Sequence, residues 1–592
     1  MADPVRYWID LSDRLQHLVR VQLEVPADVS PVAVSLPTWT PGSYTIRNYA
    51  RHIQWIEATD ENGDPVALTP AGLGGWTLEH DGPVTVRYEL YANELTVRTN
   101  HVDDHHALLV AAATFLMVDG CRDRQHEVSI DTATSDGQVW SLLPRDDRSG
   151  AFVADDFDHL VDSAFEVGSF PAVDYEVRGV PHRFVWAGHG PEPELERLAD
   201  DCAAMGEAAV QLFDGDLPVD EYTFLCVGWD AAAGGGGLEH RDGAVLMMPV
   251  TQLRDDDKYA RLQSLIAHEY VHLWNVKRLV PAELLRPDLT APTHTTSLWV
   301  AEGWTDHYDD LLPLRGGVWK LERFLKAQQD LIENVTSTPG ARFQSVRQAS
   351  YEAWIKLYLR DENSPNVGVN YYGHGALLAW CLDLLIRRAD PHGPGLDGVL
   401  RELWHEFGRA GRGYQHSDVE SAVAPAAGET LEDFFTRHVS GTELPPIEDL
   451  LDVVGLELTA SDDDAPPDLG AKTSEDGRGV VLQHVLRDRP AWKAGLTGGD
   501  RLVAIDGVAV GSGDLDPLLE SYDEGDRITV TVTRGPRLVE REVELGAPRP
   551  TRKLTAVKAP TDAQRAAFQG WTGAELTEVP APGERSDSNG GA

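Results

Sequence analysis

The sequence predicts a multidomain α+β protein. Its 592 residues exceed one ordinary domain of about 100–200 residues. Short runs of alternating apolar and polar residues fill positions 1–170, apolar residues at helical spacing dominate 256–445, and strand-like runs return over 455–548. Alternation with a period of two predicts strands and spacing near 3.6 predicts helices, so a helical region is expected between two β-rich ones.

Residues 1–170 are expected to form a β-sandwich-like domain. The runs VRVQLEV at 19–25 and VTVRYEL at 84–90 alternate between apolar and polar residues, and turns rich in Gly, Pro and Asp separate such runs. No helical pattern of useful length interrupts them. The next region mixes strands with one helix around Glu192–Phe213, after which the helical pattern begins.

The charge excludes two classes of partner. The chain has 96 acidic and 51 basic residues, which gives a formal net charge of −45. A sequence-tolerant nucleic-acid binder needs clustered Lys and Arg to contact phosphates, and an anionic membrane attracts basic segments. We therefore expect no nucleic acid and no membrane among the partners.

The composition and the cysteines predict the compartment. Lys contributes only 9 residues and Asp contributes 57, a balance typical of a halophilic protein that stays soluble in concentrated salt. An ordinary acidic protein is the alternative. The 4 cysteines show no CxxC spacing, and no apolar stretch of 18 residues occurs in the sequence. We expect no signal peptide. We expect a cytoplasmic protein with reduced thiols, in a salt-adapted cell.

The motif HEYVH at 268–272 is the sharpest chemical feature. It lies in a predicted helix over 259–279, where positions i and i+4 are about 40° apart on one face. His268 and His272 can therefore reach one tetrahedral zinc ion, with Glu269 beside them to accept a proton from a metal-activated water. A pair of hydrogen-bonded core histidines is the alternative. His101 and His105 share the spacing but lie in a strand-like run, and we expect them at the surface.

A third ligand is expected from the apolar run LWVAEGWTD at 298–306. Carboxylates are rare in such surroundings unless they are engaged, so Glu302 is the natural third zinc ligand. Asp306 lies one turn later and is predicted to accept the second N–H of a ligand histidine. The alternative for Glu302 is an acid on an exposed helix face.

Five segments in the same order resemble the glycyl aminopeptidase family of PDZ-containing gluzincin zinc metallopeptidases. They are PTWTPGSY at 37–44, GGGGLEH at 234–240, HEYVHLWNVKR at 268–278, LWVAEGW at 298–304 and NYYGHG at 370–375. The resemblance implies a thermolysin-like α/β catalytic domain with one zinc ion per chain on His268, His272 and Glu302. It also implies Glu269 as the general base and Tyr372 as a donor to the developing oxyanion, with a core tyrosine as the alternative for Tyr372.

The glycine run suits close approach of a substrate backbone. Gly236 and Gly237 carry no side chains, so an extended peptide can add to this strand edge. Glu239 follows, and a carboxylate near the metal would bind a free N-terminal ammonium and so fix cleavage one residue from the end. The alternative is a flexible loop with a solvated acid. His374 stands where the family has Lys, and Gly243 where a Ser-like residue is expected, which leaves the preferred N-terminal residue open.

The C-terminal region resembles a PDZ domain. GVVL at 479–482, AGL at 494–496 and GDRLVAIDG at 499–507 alternate strand, short helix, turn and strand. Such domains bind a peptide C-terminus at a sheet edge, and a packing module without a ligand is the alternative. We expect four regions along the chain: an N-terminal β domain over 1–170, the peptidase domain over 171–450, the PDZ-like domain over 451–548, and a partly disordered extension over 549–592.

The sequence therefore favours a zinc aminopeptidase acting on peptides with free N-termini. A zinc endopeptidase is the alternative within the same class, distinguished by cleavage of N-acetylated peptides. A peptide-binding scaffold with a vestigial metal site is the alternative from another class, but such a site would not need the general base Glu269.

Salt adaptation is testable by thermal unfolding. We expect the melting temperature followed by circular dichroism to rise between low salt and multimolar KCl, because salt near 1 M shortens the Debye length to about 3 Å and weakens the repulsion among surface carboxylates. Sucrose, which stabilises proteins without screening charge, is the control. A melting temperature that KCl leaves unchanged would contradict the halophile hypothesis.

Overall fold

The computed structural model describes residues 3–30, 32–132, 137–188, 193–230, 235–250, 255–461, 465–549 and 551–579. The chain divides into two compact units. The first comprises Met1–Thr295, Tyr308–Trp319 and Leu400–Gln415, and the second comprises Thr296–His307, Lys320–Val399 and His416–Ala592. Among the described residues, no helix is both long enough and apolar enough to cross a membrane.

The N-terminal part of the first unit is built from short strands. They are β1 (Val5–Asp10), β2 (Leu18–Val25), β3 (Val32–Ser35), β4 (Ile53–Asp60), β5 (Pro65–Val66), β6 (Thr69–Pro70), β7 (Gly75–Leu78), β8 (Val84–Tyr91), β9 (His101–Val102), β10 (Ala107–Val110), β11 (Met117–Val118), β12 (His126–Asp131), β13 (Val139–Ser141), β14 (Phe152–Ala154) and β15 (Ala164–Val167). Two short helices, α1 (Ala111–Thr114) and α2 (Phe157–Val161), lie among them.

These strands form three sheets. Their strand orders are β14-β12-β1-β2-β8-β4-β5, β13-β15-β10-β9 and β11-β3-β7-β6. In the largest sheet only β1 and β12 run parallel. The two alternating runs of the sequence become β2 and β8, which pair so that Val21 faces Tyr88 and Leu23 faces Val86. All four side chains are buried, so the predicted β-rich N-terminal domain is confirmed.

The first unit continues with a mixed sheet and two long helices. Its elements are β16 (Ala172–Val177), β17 (Val180–Gly188), α3 (Leu195–Leu212), β18 (Tyr222–Trp229), β19 (Gly236–His240), β20 (Gly243–Pro249) and α4 (Asp256–Val271). The sheet order is β16-β17-β18-β20-β19, with β17, β18 and β20 parallel. Strand β19 is the outer strand and pairs antiparallel with β20.

Helix α4 is shorter than the sequence predicts. It ends at Val271 and not near Leu279, because the chain tightens there: the Leu273 N–H donates to Tyr270 and the Trp274 N–H donates to Val271. Hydrogen bonds from residue i to residue i−3 form a 3₁₀ turn, which commonly ends an α-helix. The chain then changes direction. Helix α3, by contrast, matches the predicted helix over the residues described.

Helices dominate residues 298–450. They are α5 (Leu298–Ala301), α6 (Gly303–Arg315), α7 (Leu321–Thr336), α8 (Val346–Tyr351), α9 (Ser364–Val367), α10 (Tyr371–Ala389), α11 (Leu396–Leu403), α12 (His416–Ala427), α13 (Glu432–Phe434) and α14 (Ile447–Leu450). Helix α10 is almost wholly buried, as the apolar spacing of its sequence requires.

The C-terminal part of the second unit contains a small β-rich domain. Its elements, with those that flank it, are β21 (Leu456–Ser461), β22 (Ala471–Asp476), β23 (Gly479–Val485), α15 (Pro490–Lys493), β24 (Arg501–Ile505), β25 (Val508–Ala509), α16 (Leu515–Leu519), β26 (Arg527–Arg534), β27 (Arg537–Glu544), β28 (Thr551–Ala556) and α17 (Asp562–Thr572). Strands β22 to β27 form one sheet over a core that includes Val480, Leu482 and Val530.

The segments that flank this sheet differ from the sequence expectation. Strand β21, which was expected within the PDZ-like domain, pairs instead with β28 in a separate two-stranded sheet. Much of the expected extension is folded, because α17 buries Trp571 against Trp380 at a ring distance of 5.1 Å. The disorder expected for 580–592, the polar boundary at 462–464 and Gly234 of the glycine run lie outside the described residues.

Candidate active site

Helix α4 carries His268 and Glu269 of the HEYVH motif, and His272 follows its last residue. Its first turn is fixed by Asp255, whose side chain accepts hydrogen bonds from the backbone N–H groups of Asp257 and Lys258 at 3.1 Å. One turn apart near the other end, His268 and His272 place their ring centroids 4.7 Å apart. Both rings are buried, so neither is a solvated surface group.

Each ring is oriented through its Nδ1 atom. The Nδ1–H of His272 donates to the backbone carbonyl of Asn275 at 2.6 Å, and a carbonyl can only accept. The Nδ1–H of His268 donates to a carboxylate oxygen of Asp309 at 3.1 Å. These bonds select the tautomer in which the Nε2 of each ring carries the lone pair that can ligate a cation.

The third candidate ligand, Glu302, is buried with 2% of its surface exposed. It joins α5 to α6 without a break, because its N–H donates to Leu298 and its carbonyl accepts from Asp306. The three candidate ligands that the sequence singled out, His268, His272 and Glu302, are thus all buried, and their binding of one metal ion stays a prediction.

Asp309 is a residue that sequence reasoning missed. The sequence pointed to Asp306 as the partner of a ligand histidine, and that role stays a prediction. Asp309, three residues later, accepts a hydrogen bond from His268. Both acids follow Glu302 on nearly one face of α6, because four residues advance about 40° and seven fall about 20° short of two turns.

Two buried carboxylates lie against glycines. The ligand atoms of Glu239, Glu269 and His272 are within 4.8 Å of one another. A Cβ on Gly237 would meet the Glu269 carboxylate at 2.0 Å, and a Cβ on Gly42 would meet the Glu239 carboxylate at 2.5 Å. The glycines therefore leave the space that these two carboxylates occupy, and Gly42, with φ +88°, also needs glycine for its backbone.

A buried lysine compensates part of this negative charge. The Lys277 ammonium lies 2.9 Å from Asp162 and 3.9 Å from Glu239. Burial lowers the pKa of Lys277, but the two carboxylates outweigh it and raise that pKa above its ordinary value. Burial likewise raises the pKa of Asp162, and Lys277 with His240 outweighs it and brings the pKa to about 2.

The Glu239 carboxylate is not satisfied by this pair. The 3.9 Å separation from Lys277 exceeds hydrogen-bond distance, and among the described residues nothing else donates to the buried Glu239 Oε1. A buried acceptor without a donor costs about 1–3 kcal/mol or more when charged. Glu239 Oε1 can therefore accept a hydrogen bond from a bound molecule, since none of the described residues donates one to it.

The glycine run, where a substrate peptide was expected to pair, lies on a strand at the edge of its sheet. Strand β19, which contains Gly236 and Gly237, pairs only with β20 among the described strands. One of its groups is already used, because an Arg98 Nη2–H donates to the Gly237 carbonyl at 3.2 Å. The edge therefore remains suited to peptide addition, but over a shorter stretch than the bare sequence suggested.

Tyr372 lies in the first turn of α10. Asn370 caps that helix by accepting from the Tyr372 backbone N–H at 3.1 Å, and the Tyr371 and Tyr372 rings stack with centroids 4.9 Å apart. Tyr371 is fully buried, whereas Tyr372 is half-buried. His374, in the position where the family has Lys, is buried, and burial lowers its pKa to about 4.

Signals for the missed residues were present in the sequence. Gly42 lies inside the motif PTWTPGSY and Lys277 inside HEYVHLWNVKR. Lys277 is also one of only 9 lysines in a chain that otherwise uses arginine. A rare residue type inside a family motif was thus a usable indication, although it did not reveal the partner.

Comparison with known families identifies the chain. The Peptidase M61 N-terminal domain matches residues 6–169, the M61 glycyl aminopeptidase domain matches 261–378 and a PDZ domain matches 467–545. The crystal structure of the aminopeptidase N family protein from Idiomarina loihiensis is 30% identical, with a TM-score of 0.90, and the match covers 96% of this chain and 100% of that one. This chain belongs to the M61 glycyl aminopeptidase family.

The family assignment makes the protein a metallopeptidase and confirms the sequence-based resemblance. More distant matches include an M1 zinc metallopeptidase from Deinococcus radiodurans (15% identity, TM-score 0.46) and a mutant of it bound to a Tyr-Ser-Ala substrate (12% identity, TM-score 0.47). Each match covers 75% of this chain and 95% of the other. Comparison with curated proteins gave no match.

The contact between Asp309 and His268 generates a prediction about metal affinity. We expect Asp309→Asn to weaken metal binding about 10–100-fold, because loss of the carboxylate removes the group that orients the His268 ring. Asp310→Asn is the matched control, since Asp310 is the neighbouring acid on α6 and accepts a hydrogen bond from Ser264. The measurement is competition with a chromophoric chelator, and equal affinities for the two variants would contradict the role of Asp309.

Proposed function

We propose that this M61 family member is a zinc-dependent aminopeptidase that removes N-terminal residues from peptides. The observation that carries the proposal is the proximity of Glu239, Glu269 and His272 within 4.8 Å. This proximity supports a general base and an ammonium-binding carboxylate that act beside the same histidine. An endopeptidase would need no buried carboxylate at that position.

The residues present fit a zinc ion. The donor set of His268, His272 and Glu302 supplies two nitrogens and one oxygen, the set typical of catalytic zinc sites that keep one coordination position open. The hydrogen bonds of both Nδ1 atoms direct the remaining ring nitrogens to act as ligands. When bound, zinc supplies Lewis acidity that acidifies a water molecule and polarises the scissile carbonyl.

Glu269 is proposed to move the protons. It follows His268 directly on α4 and is buried with 5% exposure, so its carboxylate acts in a site of low polarity. There it takes a proton from the attacking water and returns one to the leaving amine. Gly237 leaves the room for this carboxylate, since any larger residue would occupy its position.

Glu239 is proposed to bind the substrate ammonium. Its Oε1 is buried and lacks a hydrogen-bond donor among the described residues, and an N-terminal ammonium would supply one. A peptide aligned along Gly236 and Gly237 would place its first peptide bond beside Glu269. Tyr372 is proposed to donate to the oxyanion of the tetrahedral intermediate, a type of contact whose loss costs about 10²–10³ in rate.

The proposal also includes a ligand for the PDZ domain and a cellular compartment for the protein. We propose that the PDZ domain takes a peptide C-terminus, since its outer strand β22 leaves a sheet edge exposed. The compartment proposed is the cytoplasm of a salt-adapted cell, on the composition alone.

The proposed reaction is tested with Glu269→Gln. We expect kcat on an aminoacyl amide to fall about 10²–10⁴-fold, because the amide cannot accept the proton, while zinc content by mass spectrometry stays the same. Glu322→Gln, which changes an exposed acid, is the control. A wild-type protein that binds zinc and hydrolyses no peptide would overturn the enzymatic proposal.

The exopeptidase assignment is tested with Glu239→Gln. We expect kcat/KM for peptides with a free N-terminus to fall about 10–100-fold, since a hydrogen bond to a charged group contributes about 1.5–3 kcal/mol. Glu176→Gln, an exposed acid on the same five-stranded sheet, should leave it unchanged. Full activity of Glu239→Gln, or equal cleavage of N-acetylated peptides by wild type, would show that the protein is not an aminopeptidase.

A further inference from the structure

A second cluster of metal-ligating side chains lies in the first unit and shares no residue with the candidate active site. It consists of His101, Asp103, His106 and Glu166, referred to here as the histidine cluster. His101 begins β9, His106 immediately precedes β10, and the two strands pair antiparallel, so the turn between them brings both rings together. The ring centroids are 5.2 Å apart.

The surface position that the sequence predicted for His101 is wrong. His101 is buried with 7% exposure and His106 with 1%; His105, between them, is exposed as expected. The reason is that the strand is covered on both faces, since His101 and Val102 of β9 are both buried. Trp229 covers the cluster, with its ring centroid 5.8 Å from both histidine rings.

Asp103 is held rigidly in the turn. Its Oδ1 accepts the backbone N–H groups of His105 and His106 at 2.7 and 2.8 Å, and its Oδ2 lies 3.2 Å from His101 Nε2. These three contacts hold both carboxylate oxygens in place, with Oδ2 directed to His101.

His106 is oriented by a carboxylate behind it. Its Nδ1–H donates to Glu166 at 2.8 Å, and Glu166, on β15, is fully buried. A carboxylate that receives the N–H of an imidazole is the usual support of a metal-ligating histidine, because it fixes the ring and makes the other nitrogen more basic. His106 Nε2 thereby becomes the ligating atom.

One ring nitrogen of each histidine in the cluster lacks a partner. Among the described residues, neither His101 Nδ1 nor His106 Nε2 has a hydrogen-bond partner, although both are buried. Each such atom costs about 1–3 kcal/mol. A cation that took up the lone pair of His106 would remove one of these costs.

We propose that His101, Asp103 and His106 bind a divalent transition-metal ion of the zinc type, in addition to the ion proposed for the active site. One ligand atom from each of the three residues lies within 4.8 Å of the others. Bonds of 2.0–2.1 Å at a tetrahedral centre separate the ligand atoms by about 3.3 Å, and His101 Nε2 and Asp103 Oδ2 are 3.2 Å apart. The ion would replace the proton between these two atoms.

The bound ion would have a structural role, because it would cross-link the residues of the β9–β10 turn. Its ligands come from the β9–β10 turn, and Glu166 ties that turn to β15, which is the neighbour of β10 in the same sheet. Zinc bound there stabilises the folded chain by its binding free energy, since the unfolded chain does not hold the three ligands together.

Metal counting tests the site without using activity. We expect zinc-loaded wild type to retain two equivalents after gel filtration in excess Mg²⁺, which competes for exposed carboxylates, and Asp103→Asn to retain one. The asparagine keeps the Oδ1 acceptor of the turn, so the fold is preserved. Asp104→Asn is the matched control, because the neighbouring Asp104 is exposed, and it should retain two.

A variant without the active-site ligands gives the independent readout. We expect His268→Ala/His272→Ala to retain one equivalent of zinc and to melt at a higher temperature when zinc is added, and we expect both effects to disappear when Asp103→Asn is added. If His268→Ala/His272→Ala retains no zinc, or if Asp103→Asn changes neither quantity, the cluster is a hydrogen-bonded group of histidines and the proposal is wrong.

Discussion

The Nδ1 hydrogen bonds of His268 and His272 are the constraint on which the candidate active site depends. Without them the ring nitrogen facing the third ligand could carry a hydrogen and would repel a cation. The acceptor for His272 is the Asn275 carbonyl, which reaches the ring only because α4 ends at Val271 and the chain turns back. The early end of the helix is therefore part of the site and not a defect of the motif.

The carboxylates beside these histidines create a second constraint. Glu239 and Glu269 lie within 4.8 Å of His272, and buried like charges at such distances raise the free energy of the folded chain unless cations offset them. Lys277 supplies one positive charge and pairs most closely with Asp162. The proposed zinc ion and the substrate ammonium would supply further positive charges. Binding of either one would therefore also offset the negative charge of the buried carboxylates.

Lys277 also shows how composition and function interact. The chain contains 42 arginines and 9 lysines, and its ion pairs at the surface are mostly made by arginine. At this point the positive charge comes from a lysine, whose ammonium lies 2.9 Å from Asp162 and 3.9 Å from Glu239. Unlike surface pairs, a buried pair is little screened by salt.

Local sequence patterns predicted much of the fold and the three candidate metal ligands. Alternation predicted β2 and β8, and helical spacing placed the HEYVH motif and Glu302 on helices, since each depends on neighbours a few residues away. The hydrogen bond from His268 to Asp309 was beyond such reasoning, because no local pattern gives the position of His268 relative to α6.

The sequence by itself determined the family, the α+β class and the identity of the candidate metal ligands, because motifs and periodicities are local properties of a chain. The tertiary structure alone decided that Gly42 makes room for Glu239, that β21 pairs with β28, and that His101 is buried. These depend on contacts between segments far apart in the chain, and the closure of long loops leaves no trace in local spacing.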